Sequence, residues 1–120
     1  MIIQEMHIQK ASKIALTSNI VKGKMSCLAL SSKGTIITHS SNRLLRGNYI
    51  RFSEHCEEAV IRKLLRMHAF NRYRNITIFV FRISSRGVSM AKPCPKCQKL
   101  LNQYKVKVLF TDNNGQIKEL

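Results

Sequence analysis

The residues able to do chemistry gather in two short stretches. Ser53-Glu54-His55-Cys56-Glu57-Glu58-Ala59 offers an imidazole and, two positions on, a carboxylate. Lys92-Pro93-Cys94-Pro95-Lys96-Cys97 offers two thiols at i and i+3. Thiolate and imidazole are zinc ligands, and three protein ligands leave a fourth position open to water, the arrangement of a catalytic site rather than a structural one. His55, Cys94 and Cys97 are the candidate ligands, and Zn2+ is the cofactor expected. On one helix Cys94 and Cys97 share a face, and a helix N-terminus favours their thiolate forms. Pro93 suits the start of that helix, where its missing N–H costs nothing. Glu57 is not needed as a ligand, and its expected work is to move a proton from a metal-activated water to a leaving group.

Each half alone is weak. A lone C-x-x-C also serves as a redox pair or as half of a structural zinc knuckle, whose remaining ligands would be Cys27 and Cys56, although these lack the usual paired spacing. A lone H-x-E is commonly surface. The conjunction carries the argument: H-x-E at one helix start, an apolar strand, then P-C-x-x-C at the next helix start. Cys27 and Cys56 are read as core or near-site thiols, and His7, His39 and His68 as ordinary polar residues.

The elements that must position these residues follow from periodicity. Ala11, Ile14, Ala15 and Ser18 predict an amphipathic helix over Lys10 to Asn19, broken by Lys22-Gly23-Lys24. Met25 to Leu30 and Thr35 to His39 predict a hairpin. Ser40 to Phe52 reads as a polar, basic connection with a turn at Gly47-Asn48. Ser53 caps a helix to Met67, with Ala59, Val60, Leu64 and Met67 on one face. Asn71 to Asn75 reads as a basic turn. Ile76 to Ile83 is almost continuously apolar and predicts a strand buried on both faces, as in a parallel sheet. A flexible loop from Ser84 to Lys92 leads to the Cys94 helix, which ends near Tyr104. Lys105 to Thr111, the turn Asp112-Asn113-Asn114-Gly115, and Gln116 to Leu120 form a last antiparallel hairpin, since a parallel crossover needs a dozen or more residues. The fold class expected is α/β: a three-layer α/β/α sandwich on a five-stranded mixed sheet, in one domain over residues 1–120. Both metal-bearing helices should start at the carboxyl ends of strands.

Composition bounds the partners. Against 21 Lys and Arg stand 6 Asp and Glu, a formal charge of +15 that favours phosphate-bearing partners. Hydrophobic residues make up 44%, enough for a packed core and too many for a disordered chain. No signal peptide or membrane-length apolar run is visible, so an intracellular location, cytoplasmic or nuclear, is expected, with no membrane partner and with reduced cysteines.

With these motifs the sequence resembles the cytidine deaminase superfamily, over roughly residues 10 to 120. H-x-E followed by P-C-x-x-C is the signature of its zinc deaminases. The resemblance implies hydrolytic removal of an exocyclic amine, with His55, Cys94 and Cys97 on zinc and Glu57 as proton shuttle. Ser41-Asn42-Arg43 looks like the segment whose Asn contacts the substrate sugar, so Asn42 and Arg43 are carried over as substrate-binding candidates. Pro93 and Cys56 join them as pocket-wall candidates; Cys56 departs from the Ala or Val usual between the His and the Glu. Members acting on nucleotides or polynucleotides generally have a helix between the fourth and fifth strands, so the short Asp112–Gly115 turn resembles the free-nucleoside and some toxin-type members. The charge points instead to phosphate. Cytosine in a free pyrimidine nucleoside or nucleotide is the expected substrate. Single-stranded DNA or RNA stays open as an alternative, with Arg43, Arg46, Arg51, Arg86 and Lys92 near the site and Tyr49 and Phe52 as stacking groups. A non-enzymatic zinc-bearing module stays open as well, as does a homo-oligomer.

Overall fold

A computed structural model describes residues 2–46 and 51–120. The turn expected at Gly47-Asn48 and the stacking role considered for Tyr49 lie outside the described residues, as do the side chains of Arg46, Arg51 and Phe52. In chain order the elements are helix α1 (Glu5–Ala15), strands β1 (Lys24–Leu30), β2 (Ile36–Ser41), β3 (Arg43–Arg46) and β4 (Arg51–Glu54), and helices α2 (Cys56–Arg66) and α3 (Ala69–Arg72). Strands β5 (Thr77–Ser84) and β6 (Gly87–Val88), helix α4 (Pro95–Gln103), and strands β7 (Lys107–Thr111) and β8 (Ile117–Glu119) complete it.

The main sheet runs β2-β1-β5-β7-β8, with β6 folded back on β5. Strand β1 is antiparallel to β2 and β5, β5 is parallel to β7, and β8 is antiparallel to β7. This is the expected mixed sheet, and its last strand is antiparallel. The apolar run of β5 explains the layering. Ile78 and Val80 pack toward α2 and α4 with Val60, Leu64 and Leu101, while Phe79 and Phe81 pack toward α1 with Ala11, Ile14 and Ala15. A strand covered on both faces needs no polar alternation, which is why its sequence reads as continuous. Hairpin, α2, β5, α4 and the final hairpin stand where periodicity put them, within a few residues.

The differences have physical causes. Helix α1 spans Glu5–Ala15 rather than Lys10 to Asn19. Its first turn is fixed by His7, which is buried, accepts the Gln4 N–H at 2.9 Å through Nδ1 and lies 2.8 Å from the Gly34 carbonyl through Nε2. Its end comes early because Ser18 leaves the helix to donate to the Asn42 carbonyl at 2.6 Å. The stretch read as an irregular connection contains an antiparallel ribbon, β3–β4, in which Arg43 faces Glu54 and Leu44 faces Ser53. The Asn19 side chain ties this ribbon to the body by bonding both the N–H and the carbonyl of Leu44. The cap of α2 is His55, not Ser53, and Glu58 Oε1 accepts the His55 N–H at 3.1 Å. Pro95, not Pro93, occupies the first turn of α4, whose cap is Cys94. The loop expected around Gly87 contains the β6 return, Asn71 to Asn75 begins as the end of α3, and α2 follows the ribbon rather than a strand of the main sheet.

Candidate zinc centre

His55 and Cys94, both helix caps, and Cys97, in the first turn of α4, meet beyond the carboxyl ends of the parallel pair β5 and β7. The approach to Cys94 is clamped by the end of β7: the Ala91 N–H donates to the Thr111 carbonyl at 2.8 Å and the Thr111 hydroxyl to the Ser89 carbonyl at 2.9 Å. Asn113, in the following turn, accepts the Met90 N–H at 2.9 Å. The Gln98 side chain then donates to the Pro93 carbonyl at 2.8 Å, fixing the chain as it enters α4.

His55 Nδ1 lies 3.3 Å from Cys97 Sγ and 3.8 Å from Cys94 Sγ, and the three donor atoms lie within 4.8 Å of one another. Tetrahedral zinc with ordinary Zn–S and Zn–N bonds separates sulfur from nitrogen by about 3.5 Å, so the trio fits the ion. Burial, then the Glu57 carboxylate, push the Cys97 thiol up. A divalent cation beside the sulfur opposes both.

Glu57 is 2% exposed and lines a cavity of about 190 Å3 together with His55 and Cys94. Its Oε1 accepts from the Cys56 thiol at 3.1 Å, and Cys56 Sγ lies 3.1 Å from Cys27 Sγ. Burial, then the Cys27 partner, hold the Cys56 thiol well above its usual range, and burial also raises Cys27. All four cysteines are free. Cys27, Cys56 and Glu57 form a second cluster, separate from the His55 trio, so the two thiols do not complete a four-ligand knuckle.

The other candidates are placed as follows. Asn42 is buried at the cavity wall, where its Oδ1 accepts the Met25 N–H at 2.9 Å and its Nδ2 donates to the Gly23 carbonyl at 3.0 Å. One amide hydrogen is left for a ligand. Arg43 is exposed, 3.6 Å from Glu54, and Cys56 stands behind Glu57 in the core, with its carbonyl accepting from Ser40 at 2.6 Å. Pro93 is buried next to the Cys94 cap. The structure adds residues that sequence reasoning passed over: Ile20, Met25, Met90 and Arg82 also line the cavity. Only Arg82 carried a signal, as a charge inside a strand otherwise buried on both faces.

Residues 1–112 match the family model of the cytidine and deoxycytidylate deaminase zinc-binding region. The chain belongs to this family. No curated protein sequence matches it. Among solved structures, the apo dCMP deaminase of the cyanophage S-TIM5 is similar with a TM-score of 0.63 and 21% identity, over 91% of this chain and 82% of that one. The cytidine deaminase of Burkholderia pseudomallei superposes with a TM-score of 0.69 at 13% identity, over 99% of this chain and 92% of that one. The cytidine deaminase of Mycobacterium leprae gives 0.60 at 15%, over 92% and 87%. These likenesses are of fold. Family membership and the His55, Cys94 and Cys97 cluster together make the chain a zinc-dependent deaminase with Zn2+ as its cofactor.

Proposed function

We propose that the protein hydrolyses the exocyclic amine of cytosine in a free cytidine or deoxycytidine, or in its nucleotide, leaving uracil and ammonia. The observation that carries this reading is the placement of Glu57: a buried carboxylate on the wall of the cavity that His55 and Cys94 also line. A structural zinc site has no use for such a group. Zinc held by His55, Cys94 and Cys97 supplies Lewis-acid activation of water.

The remaining work falls to the chain. Glu57 takes a proton from the attacking water and delivers it to N4 as the C4–N4 bond breaks. The Cys56 thiol donates to Glu57 Oε1 and so holds one oxygen of the carboxylate in place. Asn42 offers its remaining amide hydrogen to the sugar. At about 190 Å3 the cavity is of a size for one nucleoside-like group.

The test is turnover of cytidine, deoxycytidine, their monophosphates and single-stranded oligonucleotides by the zinc-loaded protein. Cytidine-type substrates should be converted, and Glu57→Ala should retain zinc while losing about 100-fold or more of kcat. Undiminished turnover in that variant, or conversion of oligonucleotides alone, would overturn the reading.

A further inference from the structure

Arg82, paired with Met25 of β1 on strand β5, lines the same cavity as Glu57. Its Nε is fully buried and has no hydrogen-bond partner. Among the described residues its guanidinium also forms no ion pair, although Glu54, Glu58 and Glu119 are all engaged by other cations. An unpaired buried donor on a permanent cation is costly, so such a group signals a missing acceptor.

The surroundings say what kind. Gly23, at φ +70, lets the guanidinium lie flat against the chain, since a Cβ there would stand 2.6 Å from Nη2. Arg82 also borders an outer hollow that includes Lys22 and Lys24, and Lys92 lines the cavity rim. The nearby carboxylates are Glu57, deep in the site, and Glu54, already neutralised by Arg62 at 3.0 Å and Arg43 at 3.6 Å. Asn42 bonds the carbonyl of Gly23, the residue against which the Arg82 guanidinium packs, so Asn42 and Arg82 are neighbours in the lining of the cavity that Glu57 shares. A ligand with its base at Glu57 and its sugar at Asn42 would bring a substituent of that sugar to the part of the lining that Asn42 shares with Arg82. We infer that Arg82 receives a phosphate of the substrate, with Lys92 and the Lys22–Lys24 hollow adding positive field, so that this site prefers a phosphorylated cytidine to the bare nucleoside.

The inference rests on the deaminase reading for the base and sugar, and on Arg82 for the phosphate. The experiment separates the two. Turnover of deoxycytidine, deoxycytidine monophosphate and a short single-stranded oligonucleotide is compared for the parent, Arg82→Gln and Arg82→Lys, with binding of inorganic phosphate measured directly by calorimetry. The monophosphate-to-nucleoside ratio of kcat/KM should fall about 10- to 100-fold in Arg82→Gln, mostly through KM, and part of the ratio should survive in Arg82→Lys. Inorganic phosphate should bind the parent and not Arg82→Gln. Arg82 dependence confined to the oligonucleotide would assign the contact to a strand and overturn both the inference and the small-substrate reading. Equal losses on nucleoside and monophosphate would mean a structural role and overturn the inference. Deoxycytidine turnover without any phosphate binding would overturn the inference and leave the deaminase reading intact. Phosphate binding through Arg82 without turnover of any cytosine substrate would do the reverse.

Discussion

The Cys56 side chain does something that an Ala or Val at its position cannot. Its thiol is kept neutral by burial and donates to Glu57 while packed against Cys27. Cys56→Ala should therefore keep the metal, since no ligand is touched, but lose about 1–2 kcal/mol of stability through the small cavity left behind. Metal analysis and urea unfolding report the two quantities separately, and zinc loss in this variant would mean that the second thiol cluster helps to hold the ion. His39 permits a pH test. Burial, then Lys63 and Lys10, hold its imidazole below the ordinary value of 6.5. The unfolded chain therefore takes up the proton first as pH falls. The contribution is intact above that ordinary value and is lost as pH drops through it toward the folded one. His39→Gln should flatten the decline in urea midpoint between about pH 8 and about pH 5, by a small amount because the ring is partly exposed.

Between elements, the decisive contacts are those joining α2, α4 and the last hairpin. His55 caps the first helix, while Cys94 caps the second and Cys97 lies in its first turn, so the metal would tie two separate pieces of chain. Cys97→Ser should lose bound zinc, and chelation of the parent should lower Tm by about 5 °C or more, read by calorimetry with and without added zinc. Helices α2 and α4 and strand β5 were legible because each carries a regular apolar pattern and buries it. The β3–β4 ribbon was not. Among its described contacts are polar tethers to the body, Asn19 on Leu44 and Arg62 on Glu54, and tethers of that kind leave no periodicity to read. The candidate site was legible as residue types and order. Arg82 could be suspected as an anomaly, but its orphaned Nε and the close pass of Gly23 exist only in three dimensions.

For the molecule as a whole, a charge of +15 makes encounter with anions fast and salt-sensitive. If phosphate is read at Arg82, raising salt from about 0.05 M to about 0.5 M should reduce kcat/KM for deoxycytidine monophosphate several-fold and leave that for deoxycytidine nearly level. Steady-state assays over the series decide it, and parallel responses would assign the charge some other purpose. The short final turn bears on the sheet edge, where β8 pairs with β7, whereas the cations lining the cavity and the hollow beside it are Arg82, Lys92, Lys22 and Lys24.

The turn at Asp112–Gly115 looks like a convenient place to splice in a peptide, since it is short and surrounded by solvent on its outer residues. Its bonds argue otherwise. Asp112 Oδ1 accepts the N–H groups of Asn114 and Gln116, and Asn113 reaches across to Met90, four residues before Cys94. An epitope inserted after Asn113 would thus be felt through that strut by a ligand nearly twenty positions upstream, and a protein engineer seeking a silent attachment point should look elsewhere.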